Sequence, residues 1–183
     1  MKKPNPYPTR RSFLKKSLAA SSFFIVPRFV LGGNGYTAPS DKLSIASIGC
    51  GGKGSSDISH ASVNGRENVV ALCDIHPNGN HGVVNIRKRF PKAKFYTDFR
   101  KLLSEEKGLD AVTISTPDHT HGIIAKTAME KKIHVYVQKP LTHNIKEARL
   151  LTELAREKKI VTQMGNQGAS HPGQNFVQKW IRE

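Results

Sequence analysis

The sequence has few cysteines, few aromatic residues and no apolar run long enough to cross a bilayer. Its only cysteines are Cys50 and Cys73, so a scaffold held by several disulfides is excluded. One disulfide between them is possible, but two small buried residues at strand ends are favoured. The short apolar stretch that ends at Val26 cannot form a stable membrane-spanning helix, so no membrane span is expected after removal of a signal.

Acidic residues are absent from residues 1–35, whereas the whole chain carries a formal net charge of +15. Seven of the 29 basic residues lie in that segment, and the other 22 stand against 14 acidic residues. Basic clusters at 87–89, 131–132 and 158–159 lie near the ends of predicted helices, where cations complement the helix dipole. Aromatic residues do not interleave with these clusters, so base stacking is disfavoured and no nucleic-acid partner is expected.

The first forty residues contain a motif typical of protein export. The stretch "TRRSFLK", residues 9–15, resembles a twin-arginine signal, and a mildly apolar run follows it. This resemblance implies a periplasmic or secreted protein that is exported already folded. The alternative is a basic, disordered tail. We assign residues 1–40 to the signal and a linker, with cleavage expected somewhere in 31–40.

From Lys42 onward, strand-like and helix-like segments alternate. Strands are predicted at 43–48, 68–73, 94–96, 111–115, 133–137 and 160–164. Helices are predicted at 53–63, 78–90, 98–107, 119–131 and 144–158, and another begins within 171–183. The last three strands lack alternation, as expected where both faces of a sheet are covered. The pattern predicts an α/β fold, a doubly wound parallel sheet of the dinucleotide-binding (Rossmann) type, over residues 41–165.

A glycine-rich turn follows the first predicted strand. Gly49, Gly51 and Gly54 have G-x-G-x-x-G spacing, which permits a tight turn, close approach of a pyrophosphate and close helix–sheet packing. Asp74 follows the second strand, 20 residues after Gly54, where a carboxylate can accept hydrogen bonds from ribose hydroxyls. It would repel a 2′-phosphate, and residues 75–77 include no arginine, so NAD is favoured over NADP. Asp74 could instead cap the next helix, although Asn78 is better placed to do so.

Two more loops are expected at the same edge of the sheet. "STPDHTH", residues 115–121, offers hydroxyls from Ser115 and Thr116, a turn at Pro117 and two histidines. His119 and His121 lack a neighbouring Cys or Glu, so a metal site is disfavoured. Asp118 is predicted to cap the following helix, with His121 pointing toward the ligand edge of the sheet. The fifth strand ends in "QKPL", where Pro140 favours an extended Lys139 and permits a cis bond.

Taken together, these motifs resemble the Gfo/Idh/MocA family of nicotinamide-dependent oxidoreductases across residues 43–183. "IGCGGKG" is similar to the family's first turn. Residues 116–141 are similar to the family's block that runs from a TP-x-x-x-H motif to an E-K-P motif. "QMGNQG" is similar to a Q-x-G-x-Q-G stretch of exported members. The resemblance implies a Rossmann domain that binds the cofactor and a second α/β domain that supplies most of the substrate pocket. That second domain is not among these residues, so the natural protein is expected to be longer, with residues 166–183 beginning the connection. Homo-oligomers are expected only for the longer form.

The resemblance also assigns site residues. Lys139 of the E-K-P motif is implied to lie beside nicotinamide and a sugar-like substrate and to assist proton transfer, which requires a pKa lowered by burial or by the nicotinamide charge. The alternative is a turn lysine in solvent. Gln138 replaces the family's glutamate and removes a negative charge beside Lys139. The residues expected to bind the cofactor are Gly49, Cys50, Gly51, Gly52, Lys53, Gly54, Asp74, Ser115, Thr116, Pro117, His119, His121, Gln138, Lys139 and Asn166.

Three functions remain open from the sequence. The first is an exported, NAD-dependent oxidoreductase that acts on a sugar or sugar derivative. The second is a glycosidase of the same family that uses bound NAD transiently. The third is a truncated NAD-binding module without catalytic activity.

Overall fold

The computed structural model describes residues 37–79 and 82–182, which fall into two units. The first, Met1–Asp41, is described only at its end, where a 3-10 turn spans Pro39–Asp41, so the export motif lies outside the described residues. The second, Lys42–Glu183, contains the strands β1 Ser44–Ile48, β2 Asn68–Cys73, β3 Lys94–Tyr96, β4 Ala111–Ile114, β5 His134–Gln138 and β6 Thr162–Gly165. Its helices are α1 Gly52–Ala61, α2 Val83–Arg89, α3 Phe99–Glu105, α4 His121–Glu130, α5 Ile145–Lys158 and α6 Gly173–Arg182.

The six strands form one parallel sheet in the order β3-β2-β1-β4-β5-β6. This order confirms the predicted doubly wound fold. The chain moves outward from β1 to β3, then returns to place β4 on the other side of β1. The strand order therefore reverses between β1 and β4, and in such sheets ligands bind at the carboxyl ends of the strands beside this reversal.

Helices cover the sheet from two sides because neighbouring strand residues point to opposite faces. In β1, Ile45 belongs to a core cluster with Ile58 of α1 and Ile86 of α2. Ala46, the next residue, belongs to a larger cluster that includes Leu102 of α3 and residues of α4 and α5. Both clusters are buried, so the apolar runs of the central strands are explained by coverage on both faces.

The predicted N-cap residue is confirmed for α3 and is wrong for α2. Asp98 caps α3 as predicted, since its carboxylate accepts a hydrogen bond from the backbone N–H of Arg100 at 2.8 Å. The helix predicted at 78–90 is shorter, and its N-cap is Gly82 rather than Asn78. Gly82 has a φ of +88°, a left-handed conformation that glycine adopts without steric cost and that interrupts a helix.

The last strand and helix expose more surface than expected. In β6, Thr162, Gln163 and Met164 are exposed and only Gly165 is buried, so coverage on both faces was wrong for this strand. The physical reason is its edge position, where a single strand, β5, pairs with it. The predicted terminal helix is present as α6, and its large apolar residues Phe176, Val177, Trp180 and Ile181 are exposed.

Candidate functional site

A cavity of about 980 Å³ opens at the carboxyl edge of the sheet, where the strand order reverses. Its walls come from the loops that follow β1, β2, β3 and β4, with part of the first turn of α1 and of α4. This volume is at the upper end of the range for ligand pockets, roughly 300–1,000 Å³. The cavity is therefore large enough for an extended ligand such as a dinucleotide.

The glycine-rich turn forms one wall, and its close contacts exclude side chains at two positions. Gly49 has a φ of +77°, and a Cβ there would lie 2.7 Å from the carbonyl oxygen of Ser115. A Cβ on Gly54 would lie 1.8 Å from the carbonyl oxygen of Gly49. Gly54 thus allows α1 to begin directly against the turn. The first backbone N–H groups of a helix have no partner within the helix and can bind a phosphate.

Asp74 lies beside this turn. Its carboxylate accepts backbone hydrogen bonds from Gly51 at 3.0 Å and from His76 at 3.1 Å, so it holds the two loops together. An ionised carboxylate offers about four acceptor sites, which leaves others for ribose hydroxyl donors. Asp74 does not cap α2, because Gly82 occupies that position.

The loop after β3 is a part of the wall that the sequence analysis did not identify. Thr97, Asp98, Phe99 and Arg100 all line the cavity, and the Arg100 guanidinium lies 4.6 Å from the centre of the Phe99 ring. The available signal was the strand pattern, since β3 pairs with β2 and ends at the same edge. The absence of arginine from residues 75–77 therefore did not mean that the cavity lacks one.

The predicted site residues divide into two groups. Those that line the cavity are Gly49, Gly51, Gly52, Lys53, Asp74, Ser115, Thr116, Pro117 and His119. Those outside its lining are Cys50, Gly54, His121, Gln138, Lys139 and Asn166. Gly54 packs α1 against the turn, and Asn166 is an exposed residue just after β6.

His121 was predicted to point toward the ligand edge of the sheet; its side chain contacts the loops at that edge but does not line the cavity. The side chain is fully buried, and its Nδ1 and Nε2 atoms lie 2.7 Å from the carbonyl oxygen of Pro140 and 2.8 Å from that of Thr116. Carbonyl oxygens only accept hydrogen bonds, so at least one ring nitrogen donates. His121 therefore joins the loop after β4 to the loop after β5.

Asp118 does not cap α4, contrary to the prediction. Residues Asp118–Thr120 form a 3-10 turn, and α4 begins at His121 without a side-chain cap. The Thr120 hydroxyl instead donates to the Pro117 carbonyl at 2.7 Å, and its oxygen lies 2.7 Å from the Thr116 hydroxyl, which can donate to it. The loop is thus closed on itself, which turns Thr116 and Pro117 toward the cavity wall.

Gln138 is buried, and its partner is a residue that the sequence analysis missed. Its Nε2 donates to Oδ2 of Asp57 at 2.9 Å, and its Oε1 accepts the backbone N–H of Lys139 at 3.2 Å. Asp57 lies on α1, 81 residues away in sequence, so no local pattern reveals this contact. Lys139 itself is exposed, whereas burial was one of the two expected influences on it, and the Lys139–Pro140 bond is cis.

Cys50 and Cys73 are both buried and unpaired, in agreement with the favoured interpretation. Burial, reinforced for Cys50 by the charge of Asp74, raises the pKa of its thiol to about 12. Burial, together with Cys50 and Asp74, likewise raises the pKa of Cys73 to about 12. At neutral pH both residues are therefore thiols, which are weak nucleophiles compared with thiolates.

Comparison with known proteins identifies the domain that forms this site. The model of a family described as "Oxidoreductase family, NAD-binding Rossmann fold" matches residues 43–166, which include all six strands. The chain belongs to the Gfo/Idh/MocA oxidoreductase family. The matched part is the family's NAD-binding domain, and the glycine turn, the start of α1 and Asp74 fit this cofactor.

Gfo/Idh/MocA proteins of known activity or structure resemble this chain in part. The scyllo-inositol 2-dehydrogenase (NAD(+)) of Bacillus subtilis is 38% identical over 61 residues, which are 33% of this chain and 18% of that protein. The alpha-N-acetylgalactosaminidase of Shewanella oneidensis is 28% identical over 163 residues, 75% of this chain and 35% of that protein. The WlbA dehydrogenase of Bordetella pertussis, solved with NADH and UDP-GlcNAcA, shares the fold with a TM-score of 0.65 and 19% identity over 77% of this chain and 43% of its own.

The chain spans only a part of such relatives, between 18% and 36% of the length of the first curated ones. Within the described residues, no three His, Cys, Asp or Glu side chains are grouped so as to hold a metal ion. None of the helices in the described part is both long and apolar enough to cross a membrane.

Proposed function

We propose that this protein is an oxidoreductase that transfers hydride between a sugar, or a sugar derivative, and NAD. The observation that carries the proposal is the cavity at the carboxyl edge, in which the glycine turn and Asp74 are joined by the Gly51–Asp74 hydrogen bond. Bound NAD would supply the hydride acceptor. The chain's own residues would bind its pyrophosphate at the start of α1 and orient its ribose at Asp74.

Lys139 is the proposed acid–base residue. It follows β5 directly, on the same sheet edge as the glycine turn, and His121 ties its neighbour Pro140 to the loop that lines the cavity. An exposed ammonium group needs a closed site to work as an acid or base, because water weakens its interaction with the reacting atoms. We propose that such closure comes from a further domain, as expected from the resemblance described above.

Binding of NAD gives the first test. Titration calorimetry should show NAD binding to the protein, and Asp74→Ala should weaken it by about tenfold, the loss expected for hydrogen bonds to one charged group. Asp118→Ala is the matched control, because Asp118 is an exposed aspartate that does not line the cavity. No measurable NAD binding by the unmodified protein would refute the proposal.

NADP should bind more weakly than NAD, because the Asp74 carboxylate repels a 2′-phosphate. Arg100 lines the same cavity and could attract that phosphate, although its guanidinium already lies 3.4 Å from Oδ1 of Asp98. The variant Asp74→Ser should therefore gain affinity for NADP only while Arg100 is present. Equal affinity of the unmodified protein for NAD and NADP would contradict the proposal that the Asp74 carboxylate selects NAD.

The substrate class is tested with the natural full-length protein. Sugars, inositols and nucleotide sugars should each be offered with NAD while the absorbance of reduced nicotinamide is followed. Turnover with one of them that falls at least tenfold in Lys139→Ala supports the proposal. Hydrolysis of an aryl glycoside without added NAD, and without net NADH formation, would instead support the glycosidase alternative.

We propose, in addition, that the protein is exported through the twin-arginine pathway. The support is the arginine pair Arg10-Arg11 within "TRRSFLK" and the absence of acidic residues from 1–35. A fusion of residues 1–40 to a folded reporter should reach the periplasm, and changing Arg10 and Arg11 to lysine should stop it. Changing Lys2 and Lys3 to arginine is the control that retains the charge. Retention of the unmodified fusion in the cytoplasm would refute this proposal.

A further inference from the structure

Asp57 is a buried carboxylate to which three other parts of the site donate. Its Oδ1 lies 2.9 Å from the Nζ of Lys53, and its Oδ2 accepts from the Ser115 hydroxyl at 2.8 Å and from the Gln138 amide at 2.9 Å. The side chain of Asp57 is only 3% exposed. A buried carboxylate is costly unless it is paired and hydrogen-bonded, and Asp57 meets both conditions.

The contact with Asp57 explains why glutamine suits position 138. A glutamine amide has one donor end and one acceptor end, and both are used, toward Asp57 and toward the backbone N–H of Lys139. A glutamate at 138 would place a second carboxylate about 3 Å from that of Asp57. Two such groups cannot both be ionised without a large cost, so one of them would have to hold a proton.

We propose that Asp57 and Gln138 are a matched pair in which Asp57 supplies the one carboxylate and Gln138 transmits its position to Lys139. The E-K-P resemblance implies a glutamate at 138; with glutamine there, the one carboxylate of the pair is that of Asp57 on α1. Asp57 is a positioning residue, because it reaches Lys139 only through Gln138. The consequence for proton transfer rests on the proposed function, whereas the pairing itself does not.

Polar side chains from two elements surround the pair. Lys53 and His60 lie beside it on α1, and Tyr136 lies beside it on β5. Burial raises the pKa of the Tyr136 hydroxyl, and the negative charge of Asp57 raises it further. Gly165 of β6 closes the other side, since a Cβ there would lie 2.7 Å from the Tyr136 hydroxyl and 2.8 Å from Nε2 of Gln138. The hydrogen bonds of Gln138 hold its amide against Asp57, and a side chain at residue 165 would displace it.

A charge-exchange series in the full chain tests the pair by thermal unfolding between pH 5 and pH 9. In Gln138→Glu the two adjacent carboxylates raise the pKa of one of them in the folded state. The folded variant therefore loses stability as pH rises, and its midpoint temperature of unfolding should fall relative to that of the unmodified protein. Asp57→Asn combined with Gln138→Glu restores one amide and one carboxylate. This double variant should unfold at least about 3 °C above Gln138→Glu at pH 8 and lose the added pH dependence. A pH dependence of Gln138→Glu parallel to that of the unmodified protein, or the lack of this rescue, would overturn the pairing.

Hydrogen exchange of the Lys139 backbone amide tests the positioning step. Asp57→Ala should accelerate it by about tenfold, the ratio that corresponds to one typical hydrogen bond, while amides in β2 exchange as before. A uniform acceleration would mean only general destabilisation, and an unchanged Lys139 amide would show that Gln138 is held without Asp57; either result would overturn the positioning. These measurements need no cofactor, so their failure is distinct from a failure to bind NAD.

Discussion

Gly54 shows how a single missing side chain sets the geometry of the cofactor site. The backbone of α1 passes so close to the glycine turn that the carbonyl of Gly49 occupies the place of a Cβ. Alanine is the better helix former by about 1 kcal/mol, so a glycine at this position of α1 is unfavourable unless close packing requires it. The packing requirement therefore outweighs helix propensity here.

The variant Gly54→Ala should lower the free energy of unfolding by about 3 kcal/mol, because the backbone must move apart to admit the methyl group. It should also abolish measurable NAD binding, since the same movement displaces the turn. Urea unfolding and calorimetry measure the two effects. Gly168→Ala is the matched control, as a Cβ at Gly168 meets no atom within 4 Å, and it should change the stability by less than about 0.5 kcal/mol. Normal NAD binding by Gly54→Ala would contradict this interpretation.

The site residues that the sequence revealed are those whose function depends on local spacing. Gly49, Gly51 and Asp74 were found because a strand, a turn and a helix follow one another in a short stretch. His121 and Gln138 were found as motif members, but the positions of their side chains were not. His121 contacts a carbonyl 19 residues away and Gln138 a carboxylate 81 residues away, and such distances in sequence leave no local pattern.

At the level of elements, β3 is connected to the end of α3 by a network of polar contacts around the carboxylate of Glu106. The Tyr96 hydroxyl donates to Oε1 of Glu106 at 2.5 Å, and the Lys94 ammonium lies 2.9 Å from the same oxygen. Burial opposes ionisation of Glu106, but the hydrogen bonds from Tyr96 and Lys94 outweigh it and lower the pKa of Glu106 below 4.5. The hydrogen bond to Glu106 in turn raises the pKa of Tyr96.

Because the pKa of Glu106 is lower in the folded chain, its stabilising effect is present above pH 4.5 and is lost as pH falls through the lowered value. Glu106→Gln should therefore reduce the free energy of unfolding by about 1–2 kcal/mol at pH 7. The difference between the two proteins should shrink as the solution is acidified. Urea unfolding at several pH values measures it. Glu153→Gln, an exposed glutamate of α5, is the control, and a difference that is constant with pH would refute the explanation.

The order and type of the elements were predictable, whereas some of their ends were not. Apolar β-branched runs marked the strands, and Asp98 marked the start of α3. The start of α2 was missed because it depends on the left-handed Gly82, and a glycine in sequence does not reveal its φ. The exposure of β6 was missed because apolar content alone does not distinguish an edge strand from a central one.

On the scale of the whole molecule, α6 presents an apolar face to solvent within the described residues. Its exposed residues include Phe176 at 61%, Trp180 at 70% and Ile181 at 79%, spaced so that they share one side of the helix. Trp180 is the only tryptophan of the chain, so its fluorescence reports on this face without interference. Apolar patches of this kind mark contact surfaces or sites of aggregation.

In a protein of these 183 residues, the emission of Trp180 should be that of a solvent-exposed indole and should shift little on unfolding in urea. Quenching by acrylamide should be nearly as efficient in the folded as in the unfolded state, because the ring is mostly accessible. The spectrum of Trp180→Phe is the blank. Blue-shifted emission that moves to the red on dilution would show instead that a second copy covers the face.

The pairing of β1 with β4 also has a consequence for the order in which the protein is made. The walls of the cofactor cavity extend from Ile48 to Ile124 along the chain. A ribosome must therefore release the whole of this stretch before the cavity can close, and the Gln138 partner of Asp57 emerges later still. The first forty residues leave the ribosome before that stretch. If they act as the proposed export signal, a receptor that bound them in that interval would meet a chain that cannot yet hold its cofactor.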